Sequence, residues 1–228
     1  MKILFVRPKP SNETIGLQHV MLVEPLELEV LAACVSDKYI SIIVDMILEK
    51  DPIEFFIKRE QPDIFCITGY ITNVPEMIRY CKVAKSINPD IHTIAGGVHC
   101  EVCPDDLNHP AIDYRVVRNA TTVFSKLLGF LKGQNQFPDG VLKLNKPAVN
   151  LPEFDFTFPI PDRSLSQKYR NKYFYIFHDK VALLKTAFGC PYSCNFCFCR
   201  EITKKSYAER PLKEVIEEIK TIEEQDIY

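Results

Sequence analysis

The stretch "DIFCITGYITNVPEMIRYCKVAKSINPDIHTIAGG", residues 63–97, holds three patterns in succession. Residues 63–68, apolar without a break from Ile64 to Ile67 and stopping before Gly69, read as a strand buried on both faces. Residues 73–87 put Met77, Tyr80, Cys81 and Ala84 on one helical face, with Asn73 in capping position. Residues 91–97 are a second apolar run that enters the paired glycines Gly96 and Gly97. A helix between two such strands returns the chain to the same edge of a sheet, so the strands must be parallel.

Outward from this unit the alternation continues. "KILFV" (2–6), "ISIIVDM" (40–46) and "DYRVV" (113–117) read as further buried strands; helices are predicted over 24–38, 51–60 and 121–133. Five strands alternating with helices predict an α/β fold: a doubly wound, Rossmann-like parallel five-stranded sheet filling residues 1–137. Ligands of such folds sit at the carboxyl ends of the strands. From 138 to 180 the periodicity fades into a linker rich in proline and aromatic residues. Residues 181–228 read as the start of a second domain: a strand at 181–187, a cysteine-rich loop, and an amphipathic helix at 211–225 with Pro211 in its first turn.

The formal net charge is −2, and no basic stripe argues for nucleic acid. No 18-residue apolar span argues for a membrane, and the apolar run at the start is too short for a signal peptide. A cytoplasmic location is expected. Nine cysteines are an odd number, which disfavours a disulfide framework; Cys34, Cys66 and Cys81 read as buried small hydrophobes.

The first domain lacks a Gly-x-Gly-x-x-Gly turn after its first strand, and Asp45 alone is a weak sign of a dinucleotide site. "TGY" (68–70) and "AGGVH" (95–99) are small-residue steps after neighbouring strands. Each is either a tight turn or a gap in which backbone approaches something large and flat. In the second segment Cys190, Cys194 and Cys197 follow a Cys-x-x-x-Cys-x-x-Cys spacing. Soft thiolates at this density read as a metal site: zinc, with Cys199 as a fourth ligand, or an iron–sulfur cluster held by three cysteines; a redox pair would need only two.

The order "EPLELEVLAA", "IIVDM", "PDIFCITGYITN", "IAGGVHCEVCPDD", "IDYRVV", "PDRSL" and "GCPYSCNFC" resembles the cobalamin-binding branch of the radical S-adenosylmethionine (SAM) superfamily along essentially the whole chain. Within that branch it is most similar to the group named for the anaerobic magnesium-protoporphyrin ester cyclase; the branch also includes methylases of unactivated carbon and phosphorus centres. The resemblance implies a corrinoid, cobalamin, in the first domain, against Thr68, Gly69 and Tyr70 on one loop and Gly96, Gly97 and His99 on another. It implies a 4Fe–4S cluster on Cys190, Cys194 and Cys197, an open iron that binds S-adenosyl-L-methionine, Phe196 beside that cofactor, and Cys199 as a bystander. The second segment would be the first strand, loop and helix of a partial TIM-like barrel. The implied chemistry is cleavage of S-adenosyl-L-methionine to a 5′-deoxyadenosyl radical, then methylation or oxidative cyclisation of a small-molecule substrate, with an electron donor such as flavodoxin or ferredoxin. No residue of this chain is assigned as catalytic.

Two departures stand out. The Asp-x-His-x-x-Gly motif of corrinoid methyltransferases is absent after strand 1, and the usual Gly-Glu-Gly after strand 5 is replaced by Arg118-Asn119-Ala120-Thr121. Only 31 residues follow Cys197, too few for the rest of a barrel. The expectation is therefore the amino-terminal part of a longer enzyme, inactive alone and able to self-associate through the open face of its last helix. The alternatives are a corrinoid-binding module without catalysis and a zinc-binding interaction domain.

Overall fold

Along β1 (Lys2–Arg7), Ile3 and Phe5 point to one side of the sheet while Leu4 and Val6 point to the other, and all four are fully buried. A strand covered on both faces needs apolar residues at every position, which is why it reads as a continuous run. The computed structural model describes residues 1–228 except 12, 13, 15, 135, 146–150, 198, 204 and 225–228. Chain order continues with β2 (Met21–Leu22), α1 (Leu26–Ala33), β3 (Ile40–Asp45), α2 (Ile53–Glu60), β4 (Ile64–Thr68), α3 (Val74–Ile87), β5 (His92–Gly96) and α4 (Val98–Val102). Then come β6 (Tyr114–Val116), α5 (Ala120–Leu131), β7 (Val141–Lys143), β8 (Phe174–Tyr175), β9 (His178–Asp179), β10 (Ala187–Gly189), α6 (Cys199–Thr203), β11 (Tyr207–Glu209) and α7 (Leu212–Glu224).

The central sheet has the order β3-β1-β4-β5-β6-β7. The first five strands are parallel, as expected for the doubly wound fold. One face packs Leu4, Val6, Phe65 and Ile67 against Phe56 of α2 and Met77, Tyr80 and Cys81 of α3. The other packs Ile3, Phe5, Cys66 and Ile94 against Leu28 of α1 and Phe124 and Leu127 of α5. Met77, Tyr80, Cys81 and Ala84 are all buried, so the helical face read from the sequence is the packed one. Cys66 and Cys81 are buried as expected, whereas Cys34 is only half-buried at the end of α1.

Three expectations need correction. The sheet has a sixth strand: β7 pairs antiparallel with β6, Val141 opposite Val116, so residues 141–143 belong to the sheet and not to a linker beginning at 138. Three residues are too few for a period to show. Helix 24–38 ends early, at Ala33. The strand expected at 181–187 begins only at Ala187, where β10 pairs antiparallel with β11. Its preceding backbone is held by side chains instead of a neighbouring strand: Leu183 N–H donates to Glu24 (2.9 Å), and the carbonyls of Leu183 and Lys185 accept from Arg163 and Arg210 (both 2.8 Å).

Candidate corrinoid cavity and thiol loop

β4, β5 and β6 end side by side, and beyond their carboxyl ends lies a cavity of about 310 Å³. Its depth is apolar: Cys66, Ile94 and Val116 from the sheet, Leu28 and Leu31 from α1, and Phe124 from α5. Residues 154–158 and Phe188 of β10 close it from above. That cover is aromatic, with ring centroids 5.3 Å apart for Phe158–Phe188 and 5.8 Å for Phe156–Phe188. The linker aromatics therefore lie over the strand ends and are not a free tether.

Gly97 has φ +91°, and a Cβ there would collide with Thr68 Oγ1. Glycine is what lets α4 start directly against the end of β4. Gly96 differs: a Cβ would meet nothing closer than Val116 at 3.9 Å, so the missing side chain is open space beside the cavity.

The rim is polar. Arg118 follows β6 and is 6% exposed, with its guanidinium carbon 3.9 Å from the centre of the Phe154 ring. Its Nε lies 3.7 Å from Glu101 of α4 and has no hydrogen-bond partner. Burial pushes the Glu101 carboxyl above its usual range, against the pull of Arg118 and Lys185. Burial lowers the Lys185 ammonium, against the pull of Glu101 and Cys199, so Lys185 faces both the cavity and the cysteine loop.

The adjacent ends of β1 and β3 are tied together by side chains from the β1 end and from the later segment. Asp45 accepts from Arg7 Nε at 2.9 Å and from Tyr173 Oη at 3.3 Å. Its backbone N–H donates to Tyr169 at 3.2 Å. This fully buried carboxylate is paired internally, which suits a structural role and not a ribose contact.

In the loop after β10, Cys190 and Cys197 are half-buried and Cys194 is exposed; all nine cysteines are free. The Cys199 thiol hydrogen-bonds to Cys197, and burial, that bond and the nearness of Cys197 and Cys190 raise its pKa. Cys199 is thus packed against the loop it was expected only to follow.

Residues 14–128 match the B12 binding domain. The chain belongs to this family. Over its whole length it is 30% identical to hopanoid C-3 methylase of Methylococcus capsulatus, covering 45% of that protein. Over 78% of its length it is 29% identical to the anaerobic magnesium-protoporphyrin IX monomethyl ester cyclase of Rubrivivax gelatinosus, covering 34% of it. Its fold superimposes, with a TM-score of 0.75 over 99% of the chain, on 32% of the cobalamin-dependent S-adenosylmethionine radical enzyme OxsB, at 16% identity. The chain is thus related to the cobalamin-binding branch of the radical SAM superfamily and spans between about a third and a half of these relatives' own length.

Within this B12-binding domain the residues singled out from the sequence divide. Thr68, Gly96 and Gly97 line the cavity. Gly69 does not; a Cβ there would lie 2.7 Å from Asn73, so its role is to seat the start of α3. Tyr70 is exposed outside the cavity. His99 turns away to Asp106, with Nε2 2.9 Å from the carboxylate, and its ring nitrogen, the Cys103 thiol and Asp106 lie within 4.8 Å of one another. Phe196 is 93% exposed.

The largest feature missed from the sequence joins the B12-binding domain to the second segment. Arg163 Nε donates to Glu24 at 3.1 Å and its Nη2 to Glu218 of α7 at 2.6 Å. Arg210 reaches the other oxygen of Glu218 at 2.6 Å, and Arg170 pairs with Glu24. Ser166 donates to Glu29 in the same pocket. Glu24, Glu29 and Glu218 are completely buried. On α7 Val215 and the Glu218 carboxylate face inward, while Leu212, Ile216 and Ile219 are exposed. Arg163 lies within the "PDRSL" motif, which was the available signal.

Proposed function

We propose that this chain forms the corrinoid-binding and cluster-bearing part of a cobalamin-dependent radical SAM methyltransferase. The observation that carries the reading is the preformed cavity at the ends of β4, β5 and β6, apolar in its depth and polar at its rim. The donor set fits the groups concerned. Gly96 leaves space, and the Nε of Arg118 is buried with no acceptor of its own. Cys190, Cys194 and Cys197 offer three free soft thiols on one short loop, the set that holds a 4Fe–4S cluster with one iron open to S-adenosyl-L-methionine. When bound, these cofactors supply one-electron cleavage of the sulfonium and methyl transfer to a substrate radical. The chain's own residues bind and orient: the Phe154–Phe158 cover excludes water from the cavity, and Lys185 stands between cavity and thiol loop. Methylation is favoured over cyclisation by the identity to the hopanoid methylase across the whole chain. A small-molecule substrate and a flavodoxin- or ferredoxin-type electron donor complete the reading.

The second reading of the loop is a zinc site with Cys199 as a fourth thiolate. Anaerobic reconstitution with iron and sulfide, followed by metal and sulfide analysis, separates the two. The cluster reading expects about four irons and four sulfides per chain; uptake of one zinc and no iron would replace it. Titration with hydroxocobalamin tests the cavity: a spectral change and co-elution on gel filtration are expected, and their absence would end the corrinoid reading.

A further inference from the structure

Away from both the cavity and the thiol loop, the chain gathers a second set of metal-binding side chains. α4 starts after Gly97, and a 3-10 turn, Pro104–Leu107, follows it directly. His99, Cys103 and Asp106 come from this helix and turn, and none of them lines the cavity. The backbone sets their spacing: Cys103 N–H donates to His99 O at 2.8 Å, and Asp106 N–H donates to Cys103 O at 3.3 Å. The carbonyl of Pro104 accepts from the buried Arg115 of β6 at 2.8 Å, which fastens the turn to the sheet. A ring nitrogen of His99, the Cys103 sulfur and a carboxylate oxygen of Asp106 then all lie within 4.8 Å of one another.

The three differ in burial in a way that suits an entering ion. The His99 ring is buried and held in one direction by Asp106, whose carboxylate lies 2.9 Å from Nε2. Cys103 and Asp106 are exposed, so the side of the set they form is open to solvent. Arg115 approaches the neighbouring Asp105, at 3.7 Å, and among the described residues no lysine or arginine pairs with Asp106. A hydrogen bond between His99 and Asp106 accounts for those two groups by themselves. It does not account for a free thiol at the same place, which supplies a third donor.

We propose that His99, Cys103 and Asp106 form a zinc-class metal site with a fourth position open to water. Imidazole, thiolate and carboxylate are donors that such an ion takes, and three protein ligands plus water is the open form of the tetrahedral site. The ion takes the place of the proton that His99 Nε2 shares with Asp106. The bound ring is neutral and carries its proton on Nδ1, and Cys103 releases its thiol proton to solvent as the metal–sulfur bond forms. An ion held there pins the end of α4 to the turn that follows. α4 also packs against α6, just after the thiol loop, so the site braces an element on which the second segment rests. The site stands independently of the corrinoid reading and of what the loop holds.

The test is titration of the full chain with Zn²⁺, and with aqueous Co²⁺ as its spectroscopic probe, without corrinoid. The chain carries Cys190→Ser, Cys194→Ser, Cys197→Ser and Cys199→Ser, so that the loop contributes no thiolate. Uptake of a single ion is expected, with a thiolate-to-metal charge-transfer band for Co²⁺. Cys103→Ser should abolish that band. Asp106→Asn should weaken binding by at least the roughly 10- to 100-fold that follows loss of a group merely supporting a metal ligand. Both substitutions are at exposed positions, and unchanged circular dichroism checks that the variants are folded. No uptake, or a band that persists in Cys103→Ser, overturns the site. If the four-serine background does not fold, zinc content is compared between the unaltered chain and Cys103→Ser alone. One zinc fewer in the variant supports the site, and equal content overturns it.

Discussion

The cavity and the thiol loop are two ways of preparing a site. The cavity is made by the sheet: β4, β5 and β6 stop together, Gly97 lets α4 start against Thr68, and the buried strands hold every wall in place. The thiol loop lies beyond a three-residue strand pair, with Cys194 exposed and Phe196 almost wholly so. Its geometry is left for the ligand to complete, as is usual where metal binding and local folding are coupled. The first site is paid for by the core of the domain, the second by what it binds.

That contrast can be broken at the joint. Arg163→Ala leaves Glu24 without its Nε donor and Glu218 without one of its two arginines, all in a buried pocket. Removing one partner of a buried charge pair costs about 3–5 kcal/mol; urea unfolding should show a loss of this size, and a midpoint unchanged from the parent would refute it. Cys194→Ala should abolish iron–sulfur incorporation on reconstitution and leave hydroxocobalamin affinity intact, which separates the two sites; a parallel loss of corrinoid binding would mean they are one. Gly97→Ala should act the other way. The positive φ and the collision with Thr68 cost about 1–3 kcal/mol. Corrinoid affinity should fall while iron and sulfide content, measured on the reconstituted protein, stays level.

The smallest effect is one of pH. Burial first, and the neighbouring Glu24 second, push the Glu29 carboxyl up to about 8, against the pull of Ser166, Arg163 and Arg170. Its folded pKa exceeds its unfolded one, near 4.5. Between those values the folded state holds the extra proton, so this group makes stability fall as pH rises from about 4.5 to about 8. Glu29→Gln should flatten that slope in denaturation midpoints taken across the window; an unchanged slope would show that Glu29 is charged in the fold.

The parallel sheet was legible because burial on both faces writes an unbroken apolar run, and α3 was legible because its buried residues recur at helical spacing. The strand ends were legible only as places. Thr68 and Gly97 do line the cavity, but the same small-residue steps also include Gly69, which serves packing, and His99, which turns to Asp106. Sequence spacing finds a turn but cannot give the direction of a side chain leaving it. β7 was too short for a period, and its pairing with β6 is set by tertiary contact. Glu24, Glu29 and Glu218 were unreadable for a different reason. A glutamate in a polar-looking stretch reads as solvated until an arginine more than fifty residues away, here Arg163, is folded against it.

The buried arginine–glutamate pocket also fixes where a gene for this protein can be divided. A boundary drawn after β7, where the sheet is complete, would discard Arg163, Arg170 and Ser166, the side chains that meet Glu24 and Glu29. The smallest separable unit is therefore longer than the sheet. Anyone grafting this domain onto another enzyme would need to carry the segment through Arg170 with it and to replace Glu218, which arrives on a later helix, with some other anion or an apolar redesign of the recess.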